Sequence, residues 1–229
     1  MRTLKARMVE FPSNSHTTPG YLAQPDDQDR HPAIVVIQEW WGLVPHIKDV
    51  AERFAREGFI ALAPDLYHGQ ATTEPDEARK LAMALDRARA VQEITAAARY
   101  LQGMNLVQPK KVGVVGWCMG GGLALSTAAH DGIVGAAVAF YGQPLAAGDT
   151  ARLHVPVLGL YADQDHGISV DAVRTFEREL EAHQVPHEIH IFPGADHAFF
   201  NDTRPEVYKP DAAQDAWRRT LDWFRRYLV

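Results

Sequence analysis

The sequence predicts an α/β fold built on a mostly parallel central sheet with helices on both faces. Short apolar, β-branched runs alternate along the chain with longer stretches of helical period. The run "PAIVVIQE" at 32–39 is apolar almost throughout, as in a strand covered on both sides. A glycine-rich turn, "VGWCMGGG" at 115–122, joins one such strand directly to a helix.

The elements follow in order. "LKARMVEF" (4–11) and "TPGYLAQP" (18–25) form an opening hairpin. The strand at 32–39 leads into a helix, "HIKDVAERFAREG" (46–58), with Val50 and Phe54 at helical spacing and Gly58 closing it. "FIALAPDL" (59–66) is a strand. Two helices follow at 74–86 and 88–103, the first with Pro75 near its start. A strand at 111–118, a helix at 119–130 and a strand at 134–142 form the middle. The finish is strand 155–165, helix 169–183, strand 187–194 and helix 212–228. There is no repeat or linker, and 229 residues are long for one domain and short for two, so a single domain over 1–229 is expected.

Composition narrows the partners. The chain is 46% hydrophobic and 23% charged with a net charge of −6, which gives no basic footprint for nucleic acid or anionic membrane and leaves a small-molecule ligand. Cys118 is the only cysteine, so no internal disulfide can form. The opening "MRTLKARMVEFPS" lacks the apolar run of a signal peptide or membrane span, so a cytoplasmic protein with a reduced thiol is expected, as monomer or homodimer.

The chemistry gathers at strand ends, where ligands bind in such folds. Gly116-Trp117-Cys118-Met119-Gly120 has the G-x-nucleophile-x-G pattern between strand and helix. The helix start then favours a thiolate at Cys118. No Gly-Lys-Ser/Thr ending or G-x-G-x-x-G marks a phosphate loop, and no cofactor is expected. A base and its orienter should come from later strand ends. His197 stands in a glycine-led loop after the last strand, and Asp163 and Asp165 follow the strand before it. Asp165, further into its loop, is the expected orienter, with Asp163 making turn or backbone hydrogen bonds. His183, His187 and His190 resemble a metal cluster but fall on a helix end, a turn and a strand, so no metal site is expected. His46 and His68 lie in strand-end loops, suited to solvation or substrate contact.

The stretches "IVVIQEWWG", "FIALAPDLY", "GVVGWCMGGG", "ADQDH" and "GADHAF" together resemble the dienelactone hydrolase family of α/β-hydrolases, over nearly the whole chain. The resemblance implies a triad of Cys118, Asp165 and His197. It also implies that Glu39 touches the resting thiol and helps activate it, and that the backbone N–H groups of Trp40 and Met119 form an oxyanion hole. The implied reaction is cleavage of an ester or enol lactone through a thioester acyl-enzyme. Family members that cleave dienelactone hold its carboxylate with arginines, one of them four residues past the histidine, where this chain has Asn201. Arg79 is a candidate replacement. Trp41, Tyr67 and Phe199, with Trp40, Trp117 and Phe200, suggest an apolar, narrowed pocket. Two alternatives stay open: a carboxylesterase or thioesterase for less polar esters, and a non-catalytic binding protein on the same fold.

Overall fold

A computed structural model describes residues 2–13, 16–130 and 132–229. The hairpin is β1 (Leu4–Ser13) and β2 (His16–Pro25), paired antiparallel. Then come β3 (His31–Ile37), α1 (Pro45–Arg56), β4 (Ile60–Pro64), α2 (Pro75–Ala84) and α3 (Arg87–Gly103). The middle is β5 (Val107–Trp117), α4 (Met119–His130) and β6 (Val134–Phe140). The short α5 (Ala147–Thr150) precedes β7 (Val157–Ala162), α6 (Val170–Ala182), β8 (His187–Phe192) and α7 (Pro210–Leu228). The strands form one sheet in the order β1-β2-β4-β3-β5-β6-β7-β8, parallel from β4 to β8 and antiparallel where β2 meets β4.

The apolar runs are buried from both sides. Along β3, Ile34 and Val36 join a core layer with α1 and α7, while Ala33, Val35 and Ile37 join the opposite layer with α3, α4 and α6. Alternate residues on a strand point to opposite faces, so an unbroken apolar run is what a doubly covered strand requires. Helix α4 is buried nearly all round, which explains its lack of a polar face.

Most element ends lie one to three residues from those read in the sequence, and two departures are larger. β5 begins at Val107 rather than 111, because its first turn of chain, Gln108 to Lys110, is polar and exposed and carries no apolar signal. The four-residue α5 has no counterpart in the sequence reading, because one turn is too short to show a periodicity. No described helix is long and apolar enough to cross a membrane.

The topology places the site. From β3 the chain steps one way, to β4, and then returns across β3 to β5 and onward to β8. β3 and β5 are therefore neighbours whose connections depart in opposite directions, which opens a crevice at their carboxyl ends. Glu39 follows β3 and Cys118 follows β5.

Candidate active site

Cys118 sits between the last residue of β5 and the first of α4, at φ 55, a left-handed conformation rare for a residue with a side chain. Its own N–H is anchored to the Phe140 carbonyl at 3.0 Å. The flanking glycines are required by close approach. A Cβ on Gly116 would stand 2.0 Å from the Gly120 carbonyl oxygen, and one on Gly120 would stand 2.4 Å from the Gln38 carbonyl oxygen. Helix α4 is thus pressed against the ends of β3 and β5, with its free N–H groups and dipole aimed at the half-buried sulfur.

His197 lies in the loop after β8. Its Nδ1 is 2.6 Å from Asp165 Oδ2, in the loop after β7. The other oxygen, Oδ1, accepts the N–H groups of Gly167 and Ile168 at 2.8 and 3.0 Å. Burial alone would raise the Asp165 carboxyl; its hydrogen bond and charge pairing with His197, with those two N–H groups, outweigh burial and hold it below the ordinary value. For His197 burial alone would depress the imidazole, but Asp165 and the Cys118 thiol outweigh it and push it up to about 10. Asp163 does a different task, accepting the Gly194 N–H at 2.6 Å and so bracing the loop that carries His197.

Glu39 is 1% exposed, and both its oxygens are engaged. Oε1 accepts from Tyr141 Oη at 3.2 Å and Oε2 from Asn201 Nδ2 at 2.8 Å. Asn201 is fixed in turn, its Oδ1 accepting the Thr203 N–H and hydroxyl at 3.1 and 2.6 Å. No hydrogen bond joins Glu39 to Cys118 among the described residues, although both line one cavity of about 180 Å³ with Trp40, Trp41, His197 and Arg204. Tyr141, at φ 36 after β6, is fully buried; burial, then the charges of Glu39 and Cys118, push its hydroxyl well above the ordinary value, so it stays a donor. Met119 is the first residue of α4, so its N–H has no helical partner and faces the same end of the sheet.

The candidates for substrate contact divide. Trp41 packs edge-on against Trp40 at 5.1 Å and lines both the cysteine cavity and an adjoining one of about 450 Å³. Asn201 lines the adjoining cavity only, with its amide committed to Glu39. Phe199 does not face the pocket: it is fully buried between Phe192 and Tyr141, because Ala198 at φ 66 turns the chain and sends the next side chain into the core. Trp117 and Phe200 are core as well, both packed on Phe140. Tyr67 stands beside the elbow, its hydroxyl 3.5 Å from Met119 Sδ and pushed up by burial and by the charge of nearby Cys118, and lines a separate cleft. Arg79 lines none of these cavities; it is 65% exposed beside Asp76 on α2, a helix that buries only Ala78. His46 is buried and lines the larger cavity, while His68 pairs with Glu93 outside it.

Two residues of the site, one lining the pocket and one buried behind Glu39, have no counterpart in the sequence reading. Arg204 lines both cavities, its guanidinium 5.5 Å from the Trp41 ring centre and its Nε donating to Glu206 at 2.9 Å. Tyr141 is the next-to-last residue of a predicted strand, so the strand-end rule could have found it; Arg204 follows a turn with no periodic signal.

A sharp strand-to-helix turn at the switch point of this sheet defines the α/β-hydrolase class. Residues 18–228 match the model of the Dienelactone hydrolase family. The chain belongs to that family and is a hydrolase of the carboxylic ester and lactone type. It is 37% identical over 231 residues to protein usf of Aquifex pyrophilus, covering 97% of this chain and 99% of that one. A protein of Aquifex aeolicus, named provisionally as a carboxymethylenebutenolidase, is 35% identical over 231 residues with the same coverage of 97% and 99%. The crystal structure of a protein from Klebsiella pneumoniae subsp. pneumoniae, named provisionally as a dienelactone hydrolase, superposes with a TM-score of 0.91 at 31% identity, covering 98% of this chain and 100% of that one.

Proposed function

We propose that the protein hydrolyses a small ester or enol lactone by acyl transfer through Cys118, with His197 and Asp165 completing a triad. The observation that carries this is the bond from Asp165 to His197 at 2.6 Å in a loop that brings the imidazole to the cavity of Cys118. Asp165 and Cys118 push the imidazole up to about 10, which makes His197 a strong acceptor for the thiol proton when substrate arrives. The thiolate attacks the carbonyl carbon, and the N–H groups of Trp40 and Met119 hold the oxygen as it becomes negative. The leaving oxygen takes the proton from His197, which then, neutral, removes one from water to cleave the thioester. Thiolate expulsion competes with that of the alcohol, so the reaction needs a stabilised leaving group, and an enolate is one. Glu39, held by Tyr141 and Asn201, sets a buried carboxyl group beside the cavity, where it restrains the thiol until substrate rearranges the site.

For substrate class, Arg204, paired through Nε with Glu206, is the arginine that lines the cysteine cavity among the described residues, and Trp41 under it supplies an apolar wall. The reading is therefore an ester with a compact apolar acyl part and a carboxylate directed to Arg204. Arg204→Gln should raise KM for such an acid about tenfold, leaving kcat, and KM for the neutral ester, near their original values. Equal losses on both substrates would remove the carboxylate from the proposal.

The acyl-enzyme is tested with p-nitrophenyl acetate. A burst of nitrophenolate and one acetyl group located on Cys118 by peptide mass spectrometry are expected, with neither in Cys118→Ala. Undiminished turnover by that variant would sink the mechanism.

A further inference from the structure

Outside the pocket, a second group of titratable side chains converges where the start of β2, the loop after β4 and the first half of α3 meet. His16 Nε2 lies 2.9 Å, and His68 Nε2 3.0 Å, from one and the same oxygen, Glu93 Oε1. The Glu93 side chain is 1% exposed. Arg89, one turn earlier on α3, gives its Nε to that oxygen at 2.9 Å, and its Nη2 lies 3.2 Å from His16 Nε2 and 3.3 Å from His68 Nε2.

These contacts conflict. An imidazole nitrogen is either an N–H donor or a lone-pair acceptor, whereas the guanidinium only donates and the carboxylate only accepts. As a donor, each Nε2 serves Glu93 and confronts Arg89; as an acceptor, it serves Arg89 and turns its lone pair on the carboxylate. Of the four contacts to these two nitrogens, two are unfavourable in every protonation state. A positive centre without hydrogens, placed between the three ligand atoms, removes the conflict, because both lone pairs and the carboxylate then point at it.

We propose that His16, His68 and Glu93 form a binding site for one divalent transition-metal ion of the zinc type. Two imidazoles and a carboxylate suit such ions better than magnesium or calcium, which prefer all-oxygen shells. The three ligand atoms lie within 4.8 Å of one another. Bonds of about 2.0–2.1 Å in a tetrahedron set ligands about 3.3 Å apart, so the side chains need shift only slightly. Arg89, 49% exposed at the surface, swings out into solvent to admit the ion. An adjoining cleft of about 240 Å³, lined by His68, Asp86, Arg89 and Glu93, supplies room for a water as the fourth ligand.

Such an ion would fasten three separate elements to one another. One of them is the loop that holds His68 at φ 52 and, one residue earlier, Tyr67 against Met119 beside the elbow. The site is thus structural, and it stands independently of the proposed triad, none of whose members it uses.

The test is titration of the chelator-treated full chain with zinc and, separately, cobalt(II), read by calorimetry, visible absorption and thermal melting. One equivalent should bind and raise Tm, and the cobalt spectrum should show ligand-field bands without thiolate charge transfer, which would mark Cys118 instead. His16→Ala and His68→Ala, both at partly exposed positions, should each weaken binding about a hundredfold and abolish the Tm rise. Arg89→Gln should tighten it about fivefold by removing the competing charge. No binding by the unmodified chain, a thiolate band, or binding that both histidine variants retain would overturn the proposal.

Discussion

Two of the histidine–carboxylate clusters among the described residues are built in opposite ways. At the pocket, Asp165 and His197 form one consistent bond, with Nδ1–H donating and the carboxylate accepting, and the second oxygen is closed by two backbone N–H groups. Glu39 beside it likewise receives one donor on each oxygen. At the corner of β2 and α3, Glu93 Oε1 receives three neighbours whose demands on the two imidazole nitrogens conflict. A buried polar network stabilises only when every member is satisfied. The first cluster is complete with the protein's own atoms, and the second calls for an atom from outside.

The largest effect that probes this contrast should come from Asp165→Asn. It keeps the shape but favours the wrong imidazole tautomer, so kcat should fall by about 10³–10⁴ in a stopped or continuous ester assay. Stability should follow pH with a definite sign. His197 is raised above its ordinary 6.5 to about 10, so its contribution is full below 6.5 and is lost as pH rises through about 10. Asp165 is lowered from 3.8, so its contribution is full above 3.8 and is lost as pH falls through its depressed value. The stability advantage of the native pair over Asp165→Asn should therefore be greatest between these ordinary values and shrink as pH rises through about 10, where the share from the charged imidazole is lost and the bonds from the Gly167 and Ile168 N–H groups remain, measured by urea unfolding across the range. A difference that does not change with pH would break the account of a charged pair.

An intermediate effect is expected at Asn201. Asn201→Ala strips a donor from the buried Glu39 carboxylate and should cost about 1–3 kcal/mol in urea unfolding. At the corner the expectation reverses. In metal-free protein, Arg89→Gln removes the guanidinium–imidazole conflicts along with one good bond to Glu93, so unfolding free energy should change by less than about 0.5 kcal/mol. A loss as large as that at Asn201 would erase the distinction between the clusters.

Much of this architecture is legible in the sequence because burial writes a pattern. The apolar run of β3 and the glycines around Cys118 both state what surrounds them, since strand cover and close helix approach admit few other residues. Chain order at strand ends also suffices to bring Cys118, Asp165 and His197 into one neighbourhood. The pocket wall is harder to read. The aromatic pair Phe199 and Phe200 looks the same in sequence whether it lines a cavity or fills the core, and the turn at Ala198 that decides it leaves no mark. Arg204 and Arg79 are alike as letters, yet one lies over Trp41 in the pocket and the other in solvent. The corner cluster is illegible for another reason: His16, His68 and Glu93 come from three elements, and local spacing says nothing of that meeting.

The left-handed backbone at Cys118 bears on how such proteins diversify. The turn is enforced by its surroundings, by Gly116 against Gly120 and by the N–H anchored to Phe140, and not by the sulfur. Serine has the same branching at Cβ and can occupy the turn unchanged, whereas threonine or valine would meet the steric penalty of β-branching there. Ancestry can therefore trade the reacting atom in a single substitution while the chain trace stays fixed, and the neighbours that tune a thiol must then be relearned one by one.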